Sequence, residues 1–461
     1  MLCLPRGMPR RQPWRKGKFA NLPEAKCEVC KSCCAEQSLF GKPFSVDDTR
    51  QSTSFAGMSS QISVRFLDRR TPPHIATLIL ISGLSALNMS IFLPSLSRMA
   101  DDFAVSYAVM QLAVSGYLAT IAVLQILIGP LSDRFGRRPT VLVGLAIFVA
   151  ATIGALVAPD AGTFLLFRML QGGVVVGIVL SRAVVRDMFP PDKSASMIGY
   201  VTMGMALVPM VGPMLGGILD DTFGWRSVFV FLTLAGIATI AIVWMDLGET
   251  LAGGGMGFAA QVRTYPELLT SPRFWGYTAC MAFASGAFFA YLGGASFVAE
   301  TVFGLTPMWT GIALGAPAIG YAVGNGLSGR FSTAVGINQM ILIGVAVSAS
   351  GMLVSLLLLI AGIERASVFF ALCTFLGLGN GMTLPNATAG VLSIRPHLAG
   401  TASGLSGAFM IGGGAILSAL AAALLTEATG AMVLQAIMLV STLLSGLAIS
   451  FVIRREKALG L

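Results

Sequence analysis

Two groups of charged residues carry the chemistry this sequence offers. Residues Gly129 to Pro139 read G-P-L-S-D-R-F-G-R-R-P, so Asp133, Arg134, Arg137 and Arg138 stand together between two long uncharged stretches. Charge that dense cannot lie in hydrocarbon, and the flanks are as long as membrane spans. The run is therefore expected as a tight loop at a membrane face, with glycine and proline allowing a sharp reversal. Its three arginines place it on the cytoplasmic side. The second group is R-M-L-Q-G, Arg168 to Gly172, inside an apolar run. A guanidinium within a span costs ~2.5 kcal/mol or more, so Arg168 should face a partner or a wet cavity. The alternative is that it snorkels to the near membrane face.

Other chemistries find less support. A carrier driven by protons needs a titratable group whose access alternates. The acids Asp101, Asp102, Asp133, Asp187, Asp220, Asp221, Glu249, Glu300, Glu364 and Glu427 all fall at expected span ends or in loops. Glu300 and Asp133 are the remaining coupling candidates. Cys27, Cys30, Cys33 and Cys34 suggest a zinc or redox cluster. Their spacing is too cramped for a paired-knuckle site and no histidine lies nearby, so no metal is expected there. No G-x-x-x-x-G-K loop is present, which argues against direct ATP drive, and no cofactor is implied. No Ser/His/Asp constellation is credible; His74 and His397 sit at span ends. The chain is not expected to be an enzyme.

The elements that must position these residues are helices in a bilayer. Of 461 residues, 55% are hydrophobic and 11% charged, with mean hydropathy +0.81. A soluble domain would carry about 25% charged residues. Fifty-four glycines suit closely packed membrane helices. The net charge of +9 resides in short loops and the N-terminal tail, a pattern of membrane anchoring rather than nucleic-acid binding. Cys280 and Cys373 read as small apolar packers.

Apolar length and charged breaks predict twelve spans. Six lie near 74–96, 107–128, 140–158, 163–185, 194–219 and 225–244. Six more lie near 273–298, 307–328, 337–360, 366–386, 398–425 and 431–453. The expected organisation is a disordered basic extension (1–72), a six-helix bundle (73–247), a cytoplasmic linker (248–272), a second bundle (273–453) and a short tail (454–461). A start at Met58 would leave an ordinary cytoplasmic tail and remove the cysteine cluster. The arginine and lysine bias sets both termini inside.

At this point the sequence resembles a family. Gly129, Leu131, Asp133, Arg134, Gly136, Arg137 and Arg138 match the signature loop between helices 2 and 3 of the major facilitator superfamily. L-S-D-R-F at 131–135 recurs as L-S-G-R-F at 327–331, at equivalent places in two halves, as duplication predicts. Arg168, Gln171 and Gly172 look like the superfamily's R-x-x-Q-G motif. Pro209, Gly212, Pro213, Gly216 and Gly217 resemble the helix 5 antiporter motif of drug/proton exchangers, with Val208 where a further glycine is usual. That motif implies close packing and a proline bend that close the periplasmic side. Gln111, Ser115 and Tyr117, F-L-P-S-L at 92–96, S-R-A-V-V-R-D at 181–187 and the stretch around Glu300 are similar to the bicyclomycin/chloramphenicol-resistance (Bcr/CflA-type) branch.

The resemblance implies an all-α integral membrane protein, with twelve transmembrane helices in two pseudo-symmetric six-helix bundles. It implies export of small organic compounds or drugs in exchange for protons, by a monomer in the bacterial inner (plasma) membrane. The branch often has an acid in span 1 where this chain has Ser90. Arg137 is expected to bond Asp187, and Asp133 to meet the start of span 11 near Gly400 to Ser403. Asn88, Ser90, Gln111, Tyr117, Gln125, Asn325 and Asn380 are substrate-contact candidates, and the mix favours neutral or cationic amphiphiles. The alternatives are an exporter of one endogenous metabolite, a sugar or an amino acid, and a membrane-anchored cysteine sensor.

Overall fold

The computed structural model describes residues 66–189, 197, 201, 208, 211–251, 258–395 and 398–460. The chain divides into two units, Met1–Gln61 and Ile62–Leu461, and all described residues lie in the second. The cysteine cluster Cys27 to Cys34, Met58, Pro209 and His397 fall outside the described residues.

The first span is α1 (Ile75–Ser90), continued through a tight turn at Leu93–Ser95 into α2 (Leu96–Asp102). The second is α3 (Tyr107–Met110) with α4 (Leu112–Phe135), and the third is α5 (Arg137–Leu156). The fourth joins α6 (Ala161–Leu170) to α7 (Val176–Met188) through a 3-10 stretch, Gln171–Val175. Helix α8 covers residues 211–223 of the fifth, and α9 (Arg226–Asp246) is the sixth. The linker carries its own helix, α10 (Phe258–Leu269). The seventh span is α11 (Pro272–Phe297), ending in one wide π turn at Val298–Val302. The eighth is α12 (Pro307–Leu314) with α13 (Ala316–Val335). Then come α14 (Ile337–Ile360), α15 (Ala366–Ile394), α16 (Ala399–Leu424) and α17 (Gly430–Leu459).

Among the described residues there is no strand, and ten helices are long and apolar enough to cross a membrane. The other two spans are the fifth, described only in part, and the eighth, broken at Gly315. The fold is thus all-α, twelve membrane helices in two six-helix bundles, as a bilayer demands of backbone that must bond internally.

One expectation is corrected. The run 129–139 is not a loop. Helix α4 continues through Pro130, Asp133 and Phe135, α5 starts at Arg137, and only Gly136 is non-helical. A helix satisfies its own backbone in water as well as in lipid, so it need not end where the charges begin. Gly136 turns the chain alone, with φ +95°, a conformation that an L side chain resists. Gly336 does the same between α13 and α14, at φ +94°. At the fourth span, Asp160 caps α6 by accepting from the Thr163 backbone N–H (2.9 Å) and hydroxyl (2.7 Å). Those bonds hold its carboxyl below the usual range.

Within the bundles, small residues let backbones touch. Gly320 and Gly324 of α13 lie against the Thr374 and Leu378 carbonyls of α15, while Gly377 and Gly381 of α15 lie against those of Pro317 and Tyr321. Both pairs are four residues apart and share a helix face. Hydroxyls tie neighbouring helices: Ser85 donates to Val174 O at 2.6 Å, and Ser445 to Cys280 O at 3.0 Å. Cys280 and Cys373 are free thiols, both buried.

A side chain at Gly377 has no room short of parting two backbones. Gly377→Val should therefore lower the thermal midpoint of the purified protein by several degrees, on the scale of core overpacking. Gly326→Val on the open face of the same helix pair should not, since nothing lies within 4 Å of a Cβ there. Equal melting of the two variants in detergent would refute the close-contact account.

Candidate functional site

The fourth span tightens into its 3-10 stretch just after Arg168, and Gly172 and Gly173 there let it press on Thr120 and Gly144. Arg168 is completely enclosed. Its Nε donates to Ala113 O (3.1 Å), Nη1 to Asn88 Oδ1 (2.9 Å) and Gln171 Oε1 (2.5 Å), and Nη2 to Asn88 O (2.9 Å). The Phe92 and Tyr117 rings hold its guanidinium carbon at 4.2 and 4.1 Å. Asn88 Nδ2 donates to Tyr117 OH (2.9 Å), and Gln171 Nε2 to Thr152 Oγ1 (2.9 Å). Arg168 therefore does not snorkel: it points into the bundle and binds spans 1, 2 and 4, every partner being neutral.

At the arginine-rich end of the first bundle, Arg137 is the hub. It lies 2.6 Å from Asp133 Oδ1, one helical turn back, and its Nε donates to Asp187 Oδ2 at 3.1 Å. Asp133, expected at the start of span 11, is thus engaged within its own bundle. Glu249, which the sequence reading treated only as a loop acid, caps α5. It accepts from the backbone N–H of Arg137 (2.9 Å) and Arg138 (3.2 Å). Arg138 reaches back to Trp244 O at 3.2 Å and lies over the indole at 4.9 Å. Arg134 sits beside Phe135, 5.3 Å from its ring. Gly129 faces open space, so close packing gives no reason for a glycine there.

The opposite end joins the bundles by a clasp. Gly212 and Gly216 of α8 lie on α1, against Ser90 and the Ile91 carbonyl. One position further round, Gly217 meets the Pro307 carbonyl of α12, and Gly311 of α12 meets the Pro213 carbonyl of α8. Each glycine stands four residues after a proline, so two Pro-x-x-x-Gly segments cross reciprocally. The echo of 213–217 in 307–311 was visible in the sequence, but its meaning needed the contact. Three hydrogen bonds reinforce the junction. Tyr107 OH donates to Gly293 O (3.0 Å), Gln111 Nε2 to Ser418 Oγ (3.0 Å), and Met308 N to Asp221 Oδ2 (3.0 Å).

Glu300 lies at the same end, in the π turn, beside a cavity of about 370 Å³ lined by Ser97, Arg98, Asp101 and Thr306. Its Oε1 is enclosed without a hydrogen bond among the described residues; Ser97 stands beside it outside bonding geometry. Arg98 bonds Asp220 and Asp221, both at 3.2 Å, and both lie within electrostatic reach of Glu300. Two carboxyl groups thus share one guanidinium, with a third nearby.

The polar candidates separate by position. Asn88 and Tyr117 belong to the Arg168 cluster. Ser90 donates to Ala86 O at 3.3 Å in its own helix. Asn380 donates to Ala284 O (3.0 Å), tying α15 to α11, and Asn325 to Tyr321 O (2.9 Å). Gln111, the residue before α4, and Gln125, within it, both project toward α16, where Gln125 lies against Gly407.

Comparison with known proteins agrees with this architecture. Residues 78–419 match the model of the Major Facilitator Superfamily. The chain is 30% identical over 343 residues to a chloramphenicol resistance protein of Pseudomonas aeruginosa, covering 73% of this chain and 81% of that one. It is 28% identical over 356 residues to a bicyclomycin resistance protein homolog of Haemophilus influenzae, covering 76% and 89%. A bacterial homolog of the human lysosomal transporter Spinster, in an inward-facing, occupied state, superposes with a TM-score of 0.65 at 17% identity, covering 83% of this chain and 96% of that one.

Removing the guanidinium would orphan Asn88 and Gln171 in a dry interior. Arg168→Lys keeps the charge but lacks the planar fork that serves four acceptors at once. It should lower transport about tenfold or more, as the loss of a charge-assisted hydrogen bond does, and Arg168→Ala should abolish it with protein still in the membrane. Wild-type transport by Arg168→Ala would show that the cluster has no part in function.

Proposed function

The chain belongs to the Major Facilitator Superfamily, in its bicyclomycin/chloramphenicol-resistance branch, and from that premise we propose that it exports small organic compounds by alternating access in exchange for protons. The transporter assignment, the multi-pass membrane setting and the absence of enzymatic chemistry follow from membership itself. The direction and the coupling are the proposal. It places the arginine-rich end in the cytoplasm, together with both termini, since Arg134, Arg137, Arg138, Arg186, Arg273, Arg454 and Arg455 gather there. The membrane is then the bacterial inner membrane, and the working unit is the monomer. The bundles 73–247 and 273–453 move as bodies about the linker.

The observation that carries this reading is the reciprocal clasp of Pro213–Gly217 on Pro307–Gly311. It seals the periplasmic end by backbone contact, which side chains of any size would prop open. A seal of that kind suits an exchanger, which must hold back its driving ion while the other side is open. The names of the relatives, resistance proteins for chloramphenicol and bicyclomycin, support small organic cargo. Glu300 is the proposed proton carrier: it stands beside a polar cavity, with two further carboxyl groups sharing Arg98.

Reconstituted vesicles with an imposed pH gradient test the reading. Proton-driven chloramphenicol transport is expected in the wild type; vesicles that move no organic compound would refute the exporter. Glu300→Gln should abolish proton movement on substrate addition while substrate exchange survives. Undiminished proton movement in that variant would remove Glu300 from the mechanism. Gly217→Leu should leave the periplasmic end unsealed, seen as proton leak in the absence of cargo. A variant as tight as the wild type would sink the clasp.

A further inference from the structure

Resting on that exporter reading, we propose that the fourth span provides a binding site for organic anions, with Arg182 as the residue that receives the cargo's carboxylate or sulfonate. The starting point is a charge census. No Asp or Glu occupies the middle of any span, whereas Arg168 and Arg182 both lie inside the fourth. Among the described spans, the acids stand within about one turn of a span end, whereas both arginines lie further in. An isolated charge at that depth is costly, and any site that keeps one needs a compensating group.

The two arginines are compensated differently. Arg168 is closed on every side by neutral acceptors and two aromatic rings. Arg182, on α7, makes no hydrogen bond or ion pair among the described residues. It lies deep in the molecule, yet part of its surface remains open. Its electrostatic neighbours are Tyr321 of α13, in the other bundle, and Arg186, one turn further along α7. Arg186 is exposed, and its Nη1 reaches the edge of α16 at Gly400. The acid next to it, Asp187, is already held by Arg137.

These positions form a positive track between the bundles. Arg186 lies at the cytoplasmic mouth and Arg182 one turn inward, within electrostatic reach of the Tyr321 phenol, which can donate to an anion. Nothing among the described residues neutralises either. A cationic amphiphile would meet repulsion at both steps, so the expectation of neutral or cationic cargo drawn from the amides alone is reversed. A cargo bearing one anionic group on an apolar body supplies the missing charge and matches the apolar helix walls.

The test uses the full chain, purified in detergent and in vesicles, with three probes: carboxyfluorescein, its neutral methyl ester, and the cation rhodamine 6G. Fluorescence polarisation should show carboxyfluorescein binding tightest and rhodamine 6G weakest. Arg182→Gln should weaken carboxyfluorescein about tenfold, the effect of losing one charge-assisted hydrogen bond, with much less change for the ester. Arg182→Lys should restore part of the anion preference. Rhodamine binding equal to or tighter than carboxyfluorescein in the wild type overturns the proposal, whether or not the variants fold. So does an unchanged anion affinity in folded Arg182→Gln. Chloramphenicol transport without anion binding would overturn this inference and leave the exporter standing; anion binding without any transport would do the reverse.

Discussion

Backbone-to-backbone contact at small residues is the constraint on which this structure depends. Helices in lipid gain nothing from burying leucine against leucine, because the surrounding chains are equally apolar. They must instead gain from dispersion and short polar contacts, and both require close approach. The glycines of α13 and α15 lie directly under the facing carbonyls, as do Gly216 on Ile91 and Gly217 on Pro307. The same device thus serves two ends. Inside a bundle it makes a permanent joint. Between bundles it makes one confined to two short segments, Pro213–Gly217 and Pro307–Gly311.

The bundles repeat a plan and break it at one informative place. Gly136 and Gly336 make the same one-residue reversal. After each reversal an acid from the bundle's last helix or just beyond it reaches the new helix start. Glu249 takes the Arg137 and Arg138 N–H groups, and Glu456 accepts from Asn338 Nδ2 at 2.6 Å while holding Arg273 at 2.5 Å. The difference is Asp133, whose counterpart is Gly329. A counterpart of Arg137 is missing as well, since the residue after the second reversal is Ile337, so the second bundle cannot build such a hub, and its Arg273–Glu456 pair holds span 12 to span 7 instead. Both bundles keep the turn, but Glu249 caps the backbone N–H groups of its helix whereas Glu456 bonds the Asn338 side chain.

The architecture was legible because its signals are local. Span length, arginine bias and motif spacing each depend on neighbouring residues, and they lead to the twelve-helix fold and the family. What stayed hidden depends on residues far apart in sequence. That Gly136 alone forms the turn could not be read, because Asp133 and Arg134 look the same on a helix end as in a loop. Glu249 is an ordinary loop acid until α5 is seen to start beneath it. The amides of Asn88, Gln111 and Asn380 are indistinguishable in the sequence. Only the fold separates one that holds an arginine, one that bridges the bundles and one that fastens two helices of the same bundle. Arg182 stood inside a motif that resembled a family pattern and so drew no question about its partner.

The contacts between the bundles are unequal at the two ends, and this bears on how such a molecule rests. The hydrogen bonds that join them among the described residues, from Tyr107, Gln111 and Met308, all lie at the clasp end. At the arginine-rich end the charge pairs of Arg137 and Arg273 close within their own bundles. Parting the bundles there breaks none of these bonds and leaves the Arg137 and Arg273 pairs intact. Parting them at the clasp end breaks all three, at about 1 kcal/mol each in a lipid setting, and lifts two glycines off two carbonyls. The hydrogen bonds between the bundles therefore favour a closed clasp.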